Sequence, residues 1–330
     1  MKNATYYILI CIMILSMAGC ADKAPSKDDI SLKKVIVSLD WTPNTNHTGL
    51  YVSKDKGYYE EVGLEVEIIQ PASGTAEQLV AARQADFGIS FQENVTFARL
   101  ENIPIVSIAT IIQHNTSGFA SLKDKGIKTP KDFEGRKYGG WGTPMEEATI
   151  EALMEKYNAD FGKVEILTTG STDFLASSTQ DIDFAWIFEG WTGIEAQLKG
   201  IDLNYIDLGK ENKALDYYTP IIITDEKNIR ENAEMVKKFI EATSKGYKYA
   251  MENPGEAAEI LLNNAPELDR RLVTKSQEYL SQKYQAEAPQ WGVQKEEVWQ
   301  RYTDWLYDNG LIEKKIDVTK AYTNDFLPKE

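Results

Sequence analysis

Four short apolar runs in this chain end in residues suited to holding a flat ring. After Lys33–Leu39 comes Asp40-Trp41-Thr42-Pro43-Asn44-Thr45-Asn46-His47, and after Phe87–Ser90 comes Phe91-Gln92-Glu93-Asn94. Arg136–Gly139 leads into Gly140-Trp141-Gly142-Thr143-Pro144, and Phe184–Ile187, which carries Trp186, leads into Phe188-Glu189-Gly190-Trp191. Tryptophan supplies a large aromatic face, while amide, imidazole and carboxyl groups orient a ring through hydrogen bonds. A single tryptophan at a strand end is ordinarily packing. Several together, beside Gln92, Glu93 and Glu189, point to a cleft that binds a flat, hydrogen-bonding ring. Thr143-Pro144-Met145-Glu146 reads as a helix start, with Thr143 as N-cap and Glu146 closing a capping box. Its free amides also suit a carboxylate or phosphate, and for this glycine-rich stretch both readings stand.

Bond-breaking chemistry has few candidates. His47 and His114 are the two histidines, and neither has a second His or Cys at metal-ligand spacing, so no metal site is expected. No nucleophile elbow, phosphate loop or His-Glu-x-x-His is present. The carboxylates show no pattern that singles out a glycosidase pair. Cys11 and Cys20 are the only cysteines, so a body beginning after residue 20 has no disulfide or thiolate. No cofactor is expected.

The elements that must position these residues alternate. Further strand signals lie at Leu64–Gln70, Ile105–Ile112, Val164–Thr168, Leu203–Leu208 and Ile221–Thr224, with helical patterns between them. After residue 225 the pattern is helical: Arg230–Glu252, Pro254–Asn263, Leu272–Tyr284 and Lys295–Asn309. This is an α/β chain of two lobes with mostly parallel sheets and a helical C-terminal tail. Two α/β blocks, about 33–115 and 120–220, fit a chain that builds one lobe, crosses to a second and returns. Gln113–Phe119 and Tyr217–Ile222 are the expected crossovers, forming a two-segment hinge. Ligands of open α/β sheets bind beyond the carboxyl ends of the strands, which is where the tryptophans fall.

Composition agrees. At 330 residues, 42% apolar and 26% charged, the chain is an ordinary globular protein, which excludes a disordered chain, a collagen and a multi-span membrane protein. A net charge of −15 supplies no basic face for nucleic acid. Seven tryptophans and 17 tyrosines suggest an aromatic-lined site. Lys2, the apolar stretch Tyr6–Met17 and Ala18-Gly19-Cys20 read as a signal peptide with a cleavage point.

Ala-Gly-Cys resembles the lipobox of bacterial lipoproteins, which implies a lipid on Cys20. The resulting division is a signal peptide at 1–19, lipidated Cys20 and a tether at 20–32, one lobe from 33–115 plus 221–330, and the other from 116–220. Leu39-Asp40-Trp41-Thr42-Pro43-Asn44 with His47, Lys56-Gly57-Tyr58-Tyr59, Ala85-Asp86-Phe87-Gly88-Ile89-Ser90 and Trp186-Ile187-Phe188-Glu189-Gly190-Trp191 resemble the thiamin-pyrimidine-precursor binding proteins. These are solute-binding lipoproteins of ABC importers with a type II periplasmic-binding-protein fold. The resemblance implies an extracytoplasmic, membrane-anchored monomer that captures a formylaminopyrimidine or hydroxymethylpyrimidine and hands it to a permease and ATPase. It places ligand contacts at Trp41, Asn44, His47, Gln92, Glu93, Trp141, Glu189 and Trp191, to which the strand-end reading adds Thr143 and Trp186. Binders of alkanesulfonate, taurine or a riboflavin-like ligand share some of these segments. So does the yeast-type hydroxymethylpyrimidine phosphate synthase, which has a histidine at the position of His47 that it consumes as substrate. That enzyme also carries a cysteine-rich iron motif, which this chain lacks, so no enzymatic activity is expected.

Overall fold

The computed structural model describes residues 32–71, 74–170, 174–177 and 182–329. Cys20, the signal segment and all of the tether but Leu32 lie outside them. The body from Lys33 to Glu330 is one compact unit built on two five-stranded sheets.

The first sheet contains β1 (Lys33–Ser38), β2 (Leu64–Ile69), β3 (Phe87–Ser90), β4 (Ile105–Thr110) and β10 (Ile221–Asp225), in the order β2-β1-β3-β10-β4. The second contains β5 (Ser117–Leu122), β6 (Lys137–Gly140), β7 (Glu165–Thr168), β8 (Phe184–Phe188) and β9 (Leu203–Asp207), in the order β7-β6-β8-β5-β9. In each sheet four strands run in one direction, and a single antiparallel strand sits between the third and the last. That strand is the one entering from the other lobe. The sheets are therefore mixed, with four of five strands in each keeping the common direction that alternation of strand and helix predicts.

Alternation explains β1, where Val35 and Val37 are buried and Lys33 and Lys34 are exposed. β4 and β10 are buried on both faces and read as continuous apolar runs. Composition points to a crossover over Gln113–Phe119, yet the chain forms β5 from Ser117. A Cβ on Gly118 would collide with the Ile206 carbonyl and the Tyr205 ring, so the small residues there are what admit β9 alongside. Aromatic residues fill the cores: Phe87 stacks on Phe239 at 3.9 Å in the first lobe, and Phe133 on Phe184 at 4.1 Å in the second. The tail helix Glu296–Asp308 serves both lobes. Trp299 packs with Tyr218 and Ile221, while Tyr302, Trp305 and Leu306 join the core of Phe119 and Phe184.

The two crossovers run side by side. Asp216 accepts from the Asn115 amide at 3.1 Å and pairs with His114 Nδ1 at 2.8 Å, while His114 Nε2 reaches Glu287 at 3.0 Å. The two carboxylates hold the half-exposed His114 imidazole protonated, pushing its pKa up to about 9. A folded pKa raised above the unfolded value gives stability that is complete below about pH 6.5 and is lost as pH rises through about 9. His114→Gln should therefore lower the thermal midpoint at pH 6 and change it little above pH 10. Solvent screening limits each pair to roughly 0.2–1 kcal/mol. A wild-type minus variant difference that is flat with pH in calorimetry would refute the clamp.

Candidate functional site

The carboxyl ends of β1, β3, β6 and β8 face one another across a cleft of about 500 Å3, within the range usual for small-ligand sites. Four of the seven tryptophans line it: Trp41, Trp141, Trp186 and Trp191. Trp291, Trp299 and Trp305 are core residues. Of the 17 tyrosines only Tyr217 lines the cleft among the described residues, so the tyrosine excess is largely packing. Trp41 and Trp141 are half exposed, at 51% and 47%, and present bare faces at the mouth. Trp186 is anchored edge-on against Phe119 at 5.5 Å, and Trp191 packs against the first lobe's core.

The loop carrying Trp41 is held from behind. His47 is fully buried; its Nδ1 accepts from the Asn44 amide at 3.2 Å and its Nε2 lies 2.7 Å from Asp40 Oδ1. A backbone N–H only donates, so Nδ1 is bare and Nε2 carries the proton to Asp40. Asn44 returns the bond pattern by capping the turn Thr45–His47. Tyr284 and Tyr247 donate to the carbonyls of Thr45 and Asn46 at 2.6 and 2.7 Å. These bonds are in place before a ligand arrives and keep the loop in one shape.

On the opposite wall, Glu146 is buried and accepts from the Tyr138 hydroxyl at 2.6 Å, the amides of Trp141 and Thr143 at 3.0 and 2.9 Å, and the Thr143 hydroxyl at 3.0 Å. The capping reading therefore holds for Thr143, and the amides of Trp141 and Thr143 are taken by the chain's own carboxylate. Glu93, in the first turn of the helix Gln92–Leu100, accepts from the Tyr217 hydroxyl at 2.7 Å. Burial pushes its carboxyl up, reinforced by the charges of Glu146 and Glu77.

The expected site residues divide. Trp41, Asn44, Glu93, Trp141, Thr143, Trp186 and Trp191 line the cleft. His47, Gln92 and Glu189 do not. His47 is the brace just described. Gln92 is buried with its amide oxygen on the Tyr218 N–H at 2.9 Å, tying β3's end to the return crossover. Glu189 begins a π-helical turn, Glu189–Gly193, and accepts from Tyr279 of the helix Arg270–Leu280 at 3.0 Å, where the lobes meet. Asp40, Phe91, Glu195 and Tyr217 also line the cleft and were not expected there. Glu195 had a signal, since it lies four residues after Trp191 on a continuing helix. Tyr217 belongs to an aromatic crossover. The cleft walls hold four carboxyl groups, Asp40, Glu93, Glu146 and Glu195, and among the described residues lining them there is no lysine or arginine.

A family model described as NMT1/THI5 like matches residues 44–257. The formylaminopyrimidine-binding protein of Halalkalibacterium halodurans is 28% identical, covering 96% of this chain and 97% of that one. The 4-amino-5-hydroxymethyl-2-methylpyrimidine phosphate synthase of Legionella pneumophila is 24% identical, covering 90% and 94%. Among solved structures, the periplasmic aliphatic sulphonate binding protein SsuA of Escherichia coli superimposes with a TM-score of 0.69 at 14% identity, covering 91% of this chain and 95% of that one. That likeness is one of fold: two α/β lobes of the type II periplasmic-binding-protein kind. Among the described residues no helix is long and apolar enough to cross a membrane.

Proposed function

Because the chain belongs to the NMT1/THI5-like family, we propose that it captures a thiamin pyrimidine precursor of the formylaminopyrimidine or hydroxymethylpyrimidine type in its interlobe cleft. Anchored outside the cytoplasm through a lipid on Cys20, it delivers that ligand to an ABC permease and ATPase. The observation that carries this reading is the cleft's chemistry: four tryptophans and four carboxyl groups, with no cation lining it among the described residues. Indole faces stack on a heteroaromatic ring, and carboxyl groups accept from its amino substituents. A sulfonate would meet carboxyl groups and no lysine or arginine among the described lining residues, which disfavours an alkanesulfonate or taurine ligand. The binding role, rather than the synthase role, is supported by His47: both of its ring nitrogens are engaged inside the fold, and the imidazole does not line the cleft.

Native mass spectrometry of the full chain extracted from its own membranes tests the whole proposal. The expected species carries a lipid on Cys20 and a bound mass equal to an aminopyrimidine. An unlipidated chain would remove the anchor. A bound sulfonate or riboflavin-like mass would replace the ligand, and loss of mass at His47 after incubation with iron, oxygen and pyridoxal phosphate would restore the enzyme.

A further inference from the structure

Glu93 and Glu146 line the cleft, Glu77 lies near Glu93 on bonds to Ser90 and Asn94, and the three carboxyl groups are not equally well provided with donors. Glu146 has four, from Tyr138, Trp141 and Thr143. Glu77, on the helix Ala76–Ala81, takes the Ser90 hydroxyl and the Asn94 amide, the latter at 2.8 Å. Glu93 has the single hydroxyl of Tyr217. Tyr217 is itself buried, with its ring 4.4 Å from that of Tyr302 on the helix Glu296–Asp308. The titratable groups facing Glu93 are thus two carboxylates and two phenols, and no ammonium or guanidinium bonds to it among the described residues.

We propose that Glu93 meets the bound pyrimidine as a neutral carboxylic acid and donates its proton to an unprotonated ring nitrogen, making it the residue that selects a basic heteroaromatic ring. The inference rests on the pyrimidine reading above and names the group that enforces it. Charge is cheapest where donors are most numerous, and Glu93, with the single Tyr217 hydroxyl, is the member of this cluster least provided with them. Burial and the neighbouring charges act in the same direction. The helix N-terminus opposes them, by at most about thirtyfold in the ionisation equilibrium. Tyr217 donates to Oε2, which makes Oε2 the acceptor and leaves the proton on Oε1. A ring nitrogen with an in-plane lone pair accepts from that O–H. An ionised Glu93 would set lone pair against lone pair.

The test uses 4-amino-5-hydroxymethyl-2-methylpyrimidine as probe in calorimetry with the full chain, from about pH 6 to about pH 9. Titration of the probe itself is common to every variant. Relative to Glu93→Gln, which keeps a donor with no proton to lose, the wild type should weaken by about tenfold as pH rises. Glu93→Leu, with no donor, should be about tenfold weaker than Glu93→Gln at every pH. Infrared spectroscopy of the ligand-free protein should show a protonated carboxyl band that Glu93→Gln removes. Parallel pH profiles for wild type and Glu93→Gln, or no such band at neutral pH, would overturn this inference and leave the pyrimidine reading intact. No binding of the probe by the wild type at any pH would overturn both.

Discussion

Trp41→Ala should bind the pyrimidine about 1–3 kcal/mol more weakly than the wild type, the range for removing an aromatic platform from under a base. That is roughly 5- to 150-fold in Kd. The thermal midpoint should hardly move, because 51% of Trp41 already faces solvent and little packing is lost with it. Trp191→Ala should lose a similar amount of affinity but also stability, since Trp191 packs against the first lobe's core. The contrast separates a stacking platform from a lobe contact. Calorimetric titration and thermal melts of both variants read it directly. Wild-type affinity in a folded Trp41→Ala protein would move the site away from the end of β1.

The part of this site that is legible in sequence is the part set by strand ends. Trp41, Trp141 and Trp191 follow apolar runs, and in an α/β sheet the residue after a strand must emerge at its carboxyl edge. Adjacency in sequence does not say which way a side chain then turns. His47, Gln92 and Glu189 also follow strand ends but turn into the fold, His47 behind the loop that carries Trp41 and the other two toward partners distant in sequence. Gln92 meets Tyr218 and Glu189 meets Tyr279, pairings across 126 and 90 positions that no local spacing encodes. Tyr217 is the converse case, a cleft residue delivered by a crossover with no periodic signal. The fold was more legible than the site. Helix and strand periods report burial, and burial is local in each element. β5 escaped notice because Gly118 and its small neighbours lack the branched side chains that mark a strand, and they are small to admit β9.

Gly246→Ala should cost at least about 3 kcal/mol, the upper part of the range for overpacking, because the added methyl has nowhere to go. Gly246 lies on the helix Ala233–Glu252, where its Cβ would collide with the Gly49 carbonyl and the Ser53 hydroxyl of the helix Thr48–Asp55. A backbone carbonyl cannot swing aside as a side chain can. The Ser53 hydroxyl is also committed, donating to Gly49 and Ala242 carbonyls at 2.8 and 2.9 Å across the same contact. Gly49 closes the pair from the other side, since a Cβ there would strike the Tyr247 ring. Tyr247 is the residue whose hydroxyl holds the Asn46 carbonyl in the cleft loop. Forcing the helices apart therefore pulls on the loop that carries Trp41 and Asn44, and affinity should fall along with stability. Gly255→Ala is the control: it too sits in a helix, with nothing within 4 Å of the added carbon, so it should be neutral or stabilising by up to about 1 kcal/mol. Chemical denaturation of the two variants, with pyrimidine titration of whichever remain folded, decides the matter. Equal stabilities would mean that the helix pair tolerates separation, and that the cleft loop is not positioned through this helix contact.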